Sequence, residues 1–318
     1  MLRCAAIVAA AAFACAATAQ VPQDAPQAGP PADFAAAMVR YDRMPDTRGT
    51  GAYPAEKTVD PAFPDHVIYR PIDLTPFAAR PLPVLLWGNG GCSNDGASSR
   101  LFLAEIASHG YLVVAPGTIK SGPGIVRKPP PAKPQLGIET TTAEVRAGID
   151  MADKANRAPG AWHDKLDLSR VAVAGWSCGG LQALQIASDP RIKAVVILHS
   201  GVFNDGQNPI KGLNVSKALL KTLRTPVLYI LGGRSDIAYP NGRDDVARID
   251  TVPVFLADHN AGHGGTLNDP NGGSEAQVTV NWLDWQLKND AKAGAMFTGT
   301  DCGLCTDNAW TVVRKGIK

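Results

Sequence analysis

The fold of this chain is decided by the stretch Arg170-Val171-Ala172-Val173-Ala174-Gly175-Trp176-Ser177-Cys178-Gly179-Gly180. Its first five residues form a mostly apolar run, typical of a buried strand, and a helix is predicted from about Leu181. Between them lies Gly-x-Ser-x-Gly, whose glycines permit a sharp turn that lifts the serine side chain above the end of the strand. In this setting the pattern predicts a nucleophile at Ser177; the alternative is an ordinary glycine-rich turn.

Strand and helix patterns alternate on both sides of this turn. Apolar runs predict strands at 66–70, 84–87, 111–115, 170–174, 193–198 and 227–231, with a last strand at 252–256. Helical spacing predicts helices over 100–109, 140–157, from about 181, and over 278–288. Such alternation is typical of a mostly parallel sheet covered by helices on both faces. The segment 200–225 between two of these strands is short, so no large cap domain is expected.

The N-terminus has the pattern of an export signal. A basic residue, an Ala-rich apolar stretch and the small-x-small site Ala17-Thr18-Ala19 predict a signal peptide over residues 1–19. A lipoprotein signal ending at Cys15 is the alternative. Residues 20–64 are rich in Ala, Pro, Gly and Asp and are predicted to form an irregular arm before one domain over 65–318. These features predict a secreted or periplasmic protein.

Composition limits the partners of this chain. With 318 residues, 45% of them hydrophobic, it is long enough to bury a large core. A formal net charge of +2 without a Lys/Arg run argues against nucleic acid or an anionic membrane as its main partner. No stretch beyond the signal is apolar for long enough to insert stably into a membrane. Nothing in the sequence indicates an oligomeric state.

The segment Ala174-Gly175-Trp176-Ser177-Cys178-Gly179-Gly180 resembles the nucleophile elbow of the α/β-hydrolase superfamily. The resemblance extends over residues 66–290 through the order of strand, glycine cluster, elbow, acid and histidine. The elbow is also similar to that of cutinase-like polyester hydrolases and dienelactone-hydrolase-like enzymes. This resemblance implies an α/β-hydrolase fold and a serine esterase activity, but it says little about which substrate is hydrolysed.

The superfamily order places the catalytic base after the last strand. His263 in Gly262-His263-Gly264-Gly265 is flanked by glycines, which let its loop bring the ring over the serine. His263 is therefore the predicted base, and His259 is the alternative. The remaining histidines are predicted to be packing or surface residues, namely His66, His109, His163 and His199.

The acid that orients the base is expected after the preceding strands. Asp236 lies just past the strand at 227–231, where the superfamily most often has its acid. Asp205, after the strand at 193–198, is the alternative location, and Asp258 lies too close to the histidine along the chain. A turn aspartate that bonds its own backbone is the non-catalytic interpretation of Asp236.

An oxyanion hole needs hydrogen-bond donors where the negative charge of the intermediate develops. The resemblance implies the backbone N–H of Cys178 as one donor. The glycine-rich loop Trp87-Gly88-Asn89-Gly90-Gly91-Cys92 implies the other, with Asn89 and Gly90 both open as donors.

Four cysteines remain after the signal: Cys92, Cys178, Cys302 and Cys305. An even number in an oxidising compartment predicts two disulfides, and the sequence alone does not choose among the three pairings. Under the resemblance, Cys92 and Cys178 flank the oxyanion hole. This implies a Cys92–Cys178 bridge that clamps the two donors, with Cys302–Cys305 as the second bridge. Independent buried thiols are the alternative.

The function implied is hydrolysis of carboxylic esters through an acyl-enzyme, with no metal or organic cofactor. Export and the absence of a cap favour a small-molecule or polymeric ester, including bulky substrates such as a polyester, a cell-wall ester or a lipid. A serine peptidase or amidase with the same triad is the alternative enzyme. A non-catalytic ligand-binding relative is the alternative from another class.

Overall fold

A computed structural model describes residues 34–126 and 137–318. The predicted signal peptide, residues 1–19, lies outside the described residues. The strands are β1 (Ala55–Val59), β2 (His66–Pro71), β3 (Leu82–Gly88), β4 (Leu112–Pro116), β5 (Leu166–Trp176), β6 (Ile192–Leu198), β7 (Val227–Leu231), β8 (Val254–Asp258) and β9 (Thr311–Lys315). The helices are α1 (Phe34–Arg43), α2 (Arg100–Ser108), α3 (Thr142–Arg157), α4 (Cys178–Ile186), α5 (Tyr239–Arg248), α6 (Gly273–Lys288), α7 (Ala291–Gly294) and α8 (Gly303–Thr306).

Within the described ranges the strands form one nine-stranded sheet in the order β1-β2-β4-β3-β5-β6-β7-β8-β9. The six strands from β4 to β8 in this order are parallel, and the outer strands β1, β2 and β9 pair antiparallel. The carboxyl ends of the parallel strands therefore lie along one edge, where the loops after β3, β5, β6, β7 and β8 meet. The predicted fold class, a mostly parallel sheet with helices, is confirmed.

The core has two halves because side chains alternate across the sheet. Val171 and Val173 of β5 face α3 and α4, whereas Ala172 and Ala174 face α2 and α6. All four side chains are fully buried. Burial on both faces explains why the parallel strands appear in the sequence as continuous apolar runs instead of alternating ones.

The irregular arm predicted for residues 20–64 is wrong over 34–43 and 55–59, which form α1 and β1. The helix is held by a tertiary contact that no local pattern shows. Arg100 is 1% exposed, stacks on the Tyr41 ring at 4.1 Å, and donates to the carbonyls of Tyr41 and Met44 near the end of α1, both at 2.6 Å. These contacts add donors for carbonyls at the end of α1, where the last carbonyls of a helix have no donor within it.

The prediction that the strand near 252–256 is the last is also wrong, because β9 pairs with β8 at the edge of the sheet. The segment between β6 and β7 holds a single 3₁₀ turn, Lys217–Thr222, in this fully described stretch. Among the residues that the structure describes, no helix has the length and apolar character needed to cross a membrane.

Candidate active site

Ser177 lies at the tight turn between β5 and α4. Its backbone has φ 53° and ψ −121°, in a region that costs a non-glycine residue about 1–3 kcal/mol. The turn brings α4 so close to β3 that a Cβ added at Gly179 would lie 2.0 Å from the Gly88 carbonyl oxygen. Only glycine fits at position 179, because the two backbones approach so closely there. The turn leaves the Ser177 side chain half-exposed at the carboxyl edge of the sheet.

His263 contacts Ser177 directly. Its Nε2 lies 2.9 Å from Ser177 Oγ, and 26% of its side chain is exposed, so both groups are within reach of a substrate. Two backbone contacts position the loop: Gly262 N–H donates to the Gly232 carbonyl at 2.8 Å, and Trp176 Nε1 donates to the His263 carbonyl at 2.9 Å. Trp176 therefore holds the histidine loop against the elbow.

Asp236 is 1% exposed and lies behind His263. Its Oδ1 accepts from His263 Nδ1 at 2.7 Å and from Ala238 N–H at 2.9 Å. Its Oδ2 accepts from His199 Nδ1 at 2.9 Å and from Gly232 N–H at 3.1 Å. Burial by itself would raise the pKa of the Asp236 carboxyl, but the bonds from His199 and His263 outweigh it, and the pKa is held well below its usual range.

His199 is a residue that sequence reasoning missed. It follows β6, is fully buried, and its Nε2 lies 2.9 Å from Oε1 of the equally buried Glu275 on α6. Burial lowers the pKa of this histidine, but the charge of Glu275 and the bonds to both carboxylates outweigh burial and raise it to about 9. No local sequence pattern marks His199; its place directly after β6, the strand next to β5 and the elbow, follows only from the order of strands in the sheet.

The alternative residues are not brought together with Ser177. Asp205 is exposed in the segment after β6. His259 donates from Nε2 to Glu275 Oε1 at 2.5 Å and stacks on Trp310 at 4.2 Å between ring centroids. Asp258 accepts from the Gly233 N–H at 2.8 Å.

The loop after β3 lies across from the elbow and is joined to it. A disulfide connects Cys92 with Cys178, with 5.2 Å between their Cα atoms, and a second connects Cys302 with Cys305. The Asn89 side chain is engaged within its own loop region, because its Nδ2 donates to the carbonyls of Ser93 at 2.9 Å and Pro116 at 2.8 Å.

One backbone amide near the disulfide, that of Cys178, lies at the start of a regular helix. Cys178 is the first residue of α4, and Gly90 is the first residue of a 3₁₀ turn, Gly90–Cys92. The first N–H groups of a helix have no acceptor within it. The Cys178 amide is therefore suited to bind a negatively charged oxygen. Gly91 in the Gly90–Cys92 turn has a left-handed φ of 64°, so this turn is not a regular helix start and does not distinguish Gly90 from Asn89 as the second donor.

Among the residues placed by the structure, no group of three or more His, Cys, Asp and Glu side chains is arranged to hold a metal ion. A hydroxyl, an imidazole with one ring nitrogen facing that hydroxyl, and a buried carboxylate on the other ring nitrogen together can deprotonate the hydroxyl during attack on an electrophilic carbon.

A family model described as "Dienelactone hydrolase family" matches residues 87–264, more than half of the chain. The chain is also similar to "Alpha/beta hydrolase psoB" of Aspergillus fumigatus, with 35% identity over 133 residues. That match covers 41% of this chain and 27% of the relative, so the chain spans about a quarter of the length of that curated protein. The family match contains the elbow, Asp236 and His263.

Proposed function

The chain belongs to the dienelactone hydrolase family of α/β-hydrolases, and on this premise we propose that it is a serine hydrolase of carboxylic esters. The observation that carries the proposal is the continuous contact from Ser177 Oγ to His263 Nε2 at 2.9 Å and from His263 Nδ1 to Asp236 Oδ1 at 2.7 Å. A lactone is a cyclic ester, so the name of the family is consistent with ester chemistry.

The acylation step follows from the tautomer of His263. An ionised carboxylate can only accept hydrogen bonds, so His263 Nδ1 carries the proton that faces Asp236, and Nε2 is left as an acceptor. Nε2 takes the Ser177 proton as Oγ attacks the ester carbonyl. The imidazolium that forms is stabilised by Asp236 and then protonates the departing alcohol, leaving an acyl group on Ser177.

The oxyanion of the tetrahedral intermediate is assigned to the amide of Cys178 and to a second amide of the loop after β3, that of Asn89 or Gly90. Loss of one such donor typically costs about a hundred- to a thousandfold in kcat. The Cys92–Cys178 disulfide fixes the separation of the two walls that carry these amides. Water then attacks the acyl carbonyl while His263 Nε2 takes one of its protons, and the imidazolium returns that proton to Ser177 Oγ as the acyl–oxygen bond breaks and the acid leaves.

The proposed substrates are esters that reach the site from outside the cell, including bulky or polymeric ones. The short β6–β7 segment, a described stretch that holds one 3₁₀ turn and no cap domain, supports this class. Two disulfides support an extracellular or periplasmic location, because such bonds persist in oxidising compartments.

The test is hydrolysis of p-nitrophenyl acetate and butyrate by the full chain and by Ser177→Ala. We expect turnover by the wild type and a loss on the order of a thousandfold or more in the variant. Equal activity in both, or none in either, would contradict the esterase proposal.

Two further substrates separate the alternatives. Turnover of a p-nitroanilide at a rate comparable to the matching ester would indicate an amidase or peptidase. Binding of an ester without turnover would indicate a non-catalytic relative. A panel of esters of rising chain length, with one insoluble polyester, then defines the substrate class.

A further inference from the structure

We infer that His199 and Glu275 are a positioning pair that fixes the Asp236 carboxylate and sets the pH range over which His263 acts as a base. This inference rests on the proposed function, because it concerns the same serine. Asp236, His199 and Glu275 together are called the buried charge cluster below, and none of their side chains has any exposed surface.

The first support is geometry. Four contacts connect Ser177 with α6 in series: Ser177 Oγ to His263 at 2.9 Å, His263 to Asp236 at 2.7 Å, Asp236 to His199 at 2.9 Å, and His199 to Glu275 at 2.9 Å. His199 occupies Asp236 Oδ2, which leaves Oδ1 facing His263. A rotation of this carboxylate would break both histidine contacts at once, so the pair holds it in one orientation.

The second support is the proton count. Both ring nitrogens of His199 face carboxylate oxygens, and an ionised carboxylate has no proton to donate. His199 must therefore donate from both nitrogens, which makes it a buried imidazolium. The charge of this ring is compensated on both sides, as buried charges require.

The third support is the loop that carries His263. Gly265 has a φ of +51°, and a Cβ added there would lie 2.2 Å from Glu275 Oε1 and 2.3 Å from His199 Nε2. The histidine loop thus crosses directly over the His199–Glu275 contact. The same pair that fixes the acid also supports the loop of the base.

Other charged groups face the cluster from neighbouring elements. Asp258 at the end of β8 interacts with Asp236, and Arg243 on α5 interacts with Asp258. His259 and Asp269, which precedes α6, interact with Glu275. The ring centroids of His199 and His263 are 6.2 Å apart. The charge on His199 therefore lies close to the imidazolium that forms on His263 during catalysis.

The short distance between the two rings predicts the direction in which a His199 variant shifts the pH–rate profile. Replacing His199 by a neutral residue removes a repulsion on protonated His263, so protonation of His263 becomes easier. We expect the acid limb of the pH–rate profile to move to higher pH in His199→Gln. Two unit charges about 6 Å apart, at an effective dielectric constant of roughly 20 to 80, repel each other enough to shift the acid limb by about 0.5 to 2 pH units.

The experiment measures the rate at which an alkyl fluorophosphonate labels Ser177 between pH 5 and 9, for the wild type, His199→Gln and His66→Gln. Labelling reports activation of the serine without any ester turnover, so failure of the esterase proposal would be visible separately. His66 is the matched control: it is 4% exposed, and its ring nitrogens contact only the backbone carbonyls of Pro64 and Glu144.

The expected result is an upward shift of the acid limb in His199→Gln, with none in His66→Gln. On p-nitrophenyl butyrate, kcat should fall by roughly ten- to a hundredfold while KM stays within about twofold, because the pair acts on the base and not on the substrate. An unshifted limb in folded His199→Gln would overturn the inference.

A second measurement does not depend on that variant folding. Imidazole ¹H–¹⁵N spectra of the wild type at pH 8 should show a ring with both nitrogens protonated whose signals persist in His66→Gln and disappear in Glu275→Gln. A wild-type spectrum in which every histidine ring is singly protonated at pH 8 would also overturn the inference.

Discussion

Two buried glutamates, Glu105 on α2 and Glu275 on α6, each contact a histidine, yet they connect different parts of the molecule. Glu105 accepts from Thr50 N–H at 2.8 Å, Thr50 Oγ1 at 2.5 Å, Gln277 at 2.8 Å and His109 at 3.1 Å. These contacts tie the segment before β1 to α2 and α6. Glu275 instead contacts His199, from which contacts continue to Asp236, His263 and Ser177.

The difference teaches that burial of a carboxylate does not by itself indicate a functional role. The partners of Glu105 are neutral groups and a histidine that is 24% exposed, and none of them contacts the elbow. Glu275 contacts His259, which is 11% exposed, and also a fully buried histidine, His199, that holds the acid of the proposed triad. The role of each glutamate follows from the residues that its histidine partner contacts in turn.

The largest loss of activity is expected when the carboxylate that contacts His263 is replaced. Asp236→Asn replaces an acceptor by an amide that can donate to His263, which favours the wrong tautomer, and kcat on p-nitrophenyl butyrate should fall by about 10⁴-fold. Asp205→Asn changes the exposed alternative acid and should stay within about twofold of the wild type. A larger loss in Asp205→Asn than in Asp236→Asn would contradict the assignment.

The two glutamates can be compared directly as Glu275→Gln and Glu105→Gln. Glu275→Gln should lower kcat per folded molecule by roughly ten- to a hundredfold, because the acid loses its support. Glu105→Gln should keep kcat and lower the free energy of unfolding by about 1–3 kcal/mol, because bonds to a buried acceptor are weakened. Urea unfolding and kcat measured on the same samples decide between the roles, and equal loss of activity in both would erase the distinction.

The two disulfides offer a similar comparison with a smaller effect on activity. Cys92 and Cys178 are separated by 86 positions and Cys302 and Cys305 by 3. Chain-entropy arguments give about 4–5 kcal/mol of stabilisation for the first and about 1–2 kcal/mol for the second. The Cys92→Ala/Cys178→Ala variant should also lose about tenfold in kcat, as the oxyanion donors lose their clamp.

The Cys302→Ala/Cys305→Ala variant is the matched control and should keep its kcat. If both double variants lost kcat equally, the clamp at the oxyanion hole would be refuted. If neither double variant lost kcat, the Cys92–Cys178 disulfide would contribute to stability alone.

The smallest effect concerns stability and pH. The pKa of His199 is raised to about 9 in the fold, so its contribution to stability is complete below its unfolded pKa near 6.5 and is lost as pH rises toward about 9. The urea midpoint of the wild type should therefore fall between pH 6.5 and 9 more steeply than that of His199→Gln. Parallel slopes would show that His199 is not charged in the folded protein.

The central strands were predictable because they are buried on both faces, and the edges were not. β1 contains Glu56 and Lys57, and β9 contains Arg314 and Lys315, with half-exposed or exposed side chains along most of each strand. Charged residues are common on edge strands, where they discourage pairing with other chains. Such strands lack the continuous apolar run that predicts a parallel strand.

At the site, the order along the chain predicted three residues that the structure brings together: Ser177, Asp236 and His263. Their catalytic roles stay a proposal. The pair behind them was not predicted, because His199 and Glu275 come from the end of β6 and from α6, and no local pattern relates them. Only the sheet order, which places β6 between β5 and β7, brings His199 beside the acid.

The most direct test of the account is the site at which an ester leaves its acyl group. The full chain is mixed with p-nitrophenyl acetate, quenched in acid within the first turnover, and mapped by peptide mass spectrometry. The account predicts one acetyl group per chain, on Ser177, and none in Ser177→Ala. An acetyl group on another residue that persists in Ser177→Ala, with p-nitrophenol still released, would contradict it.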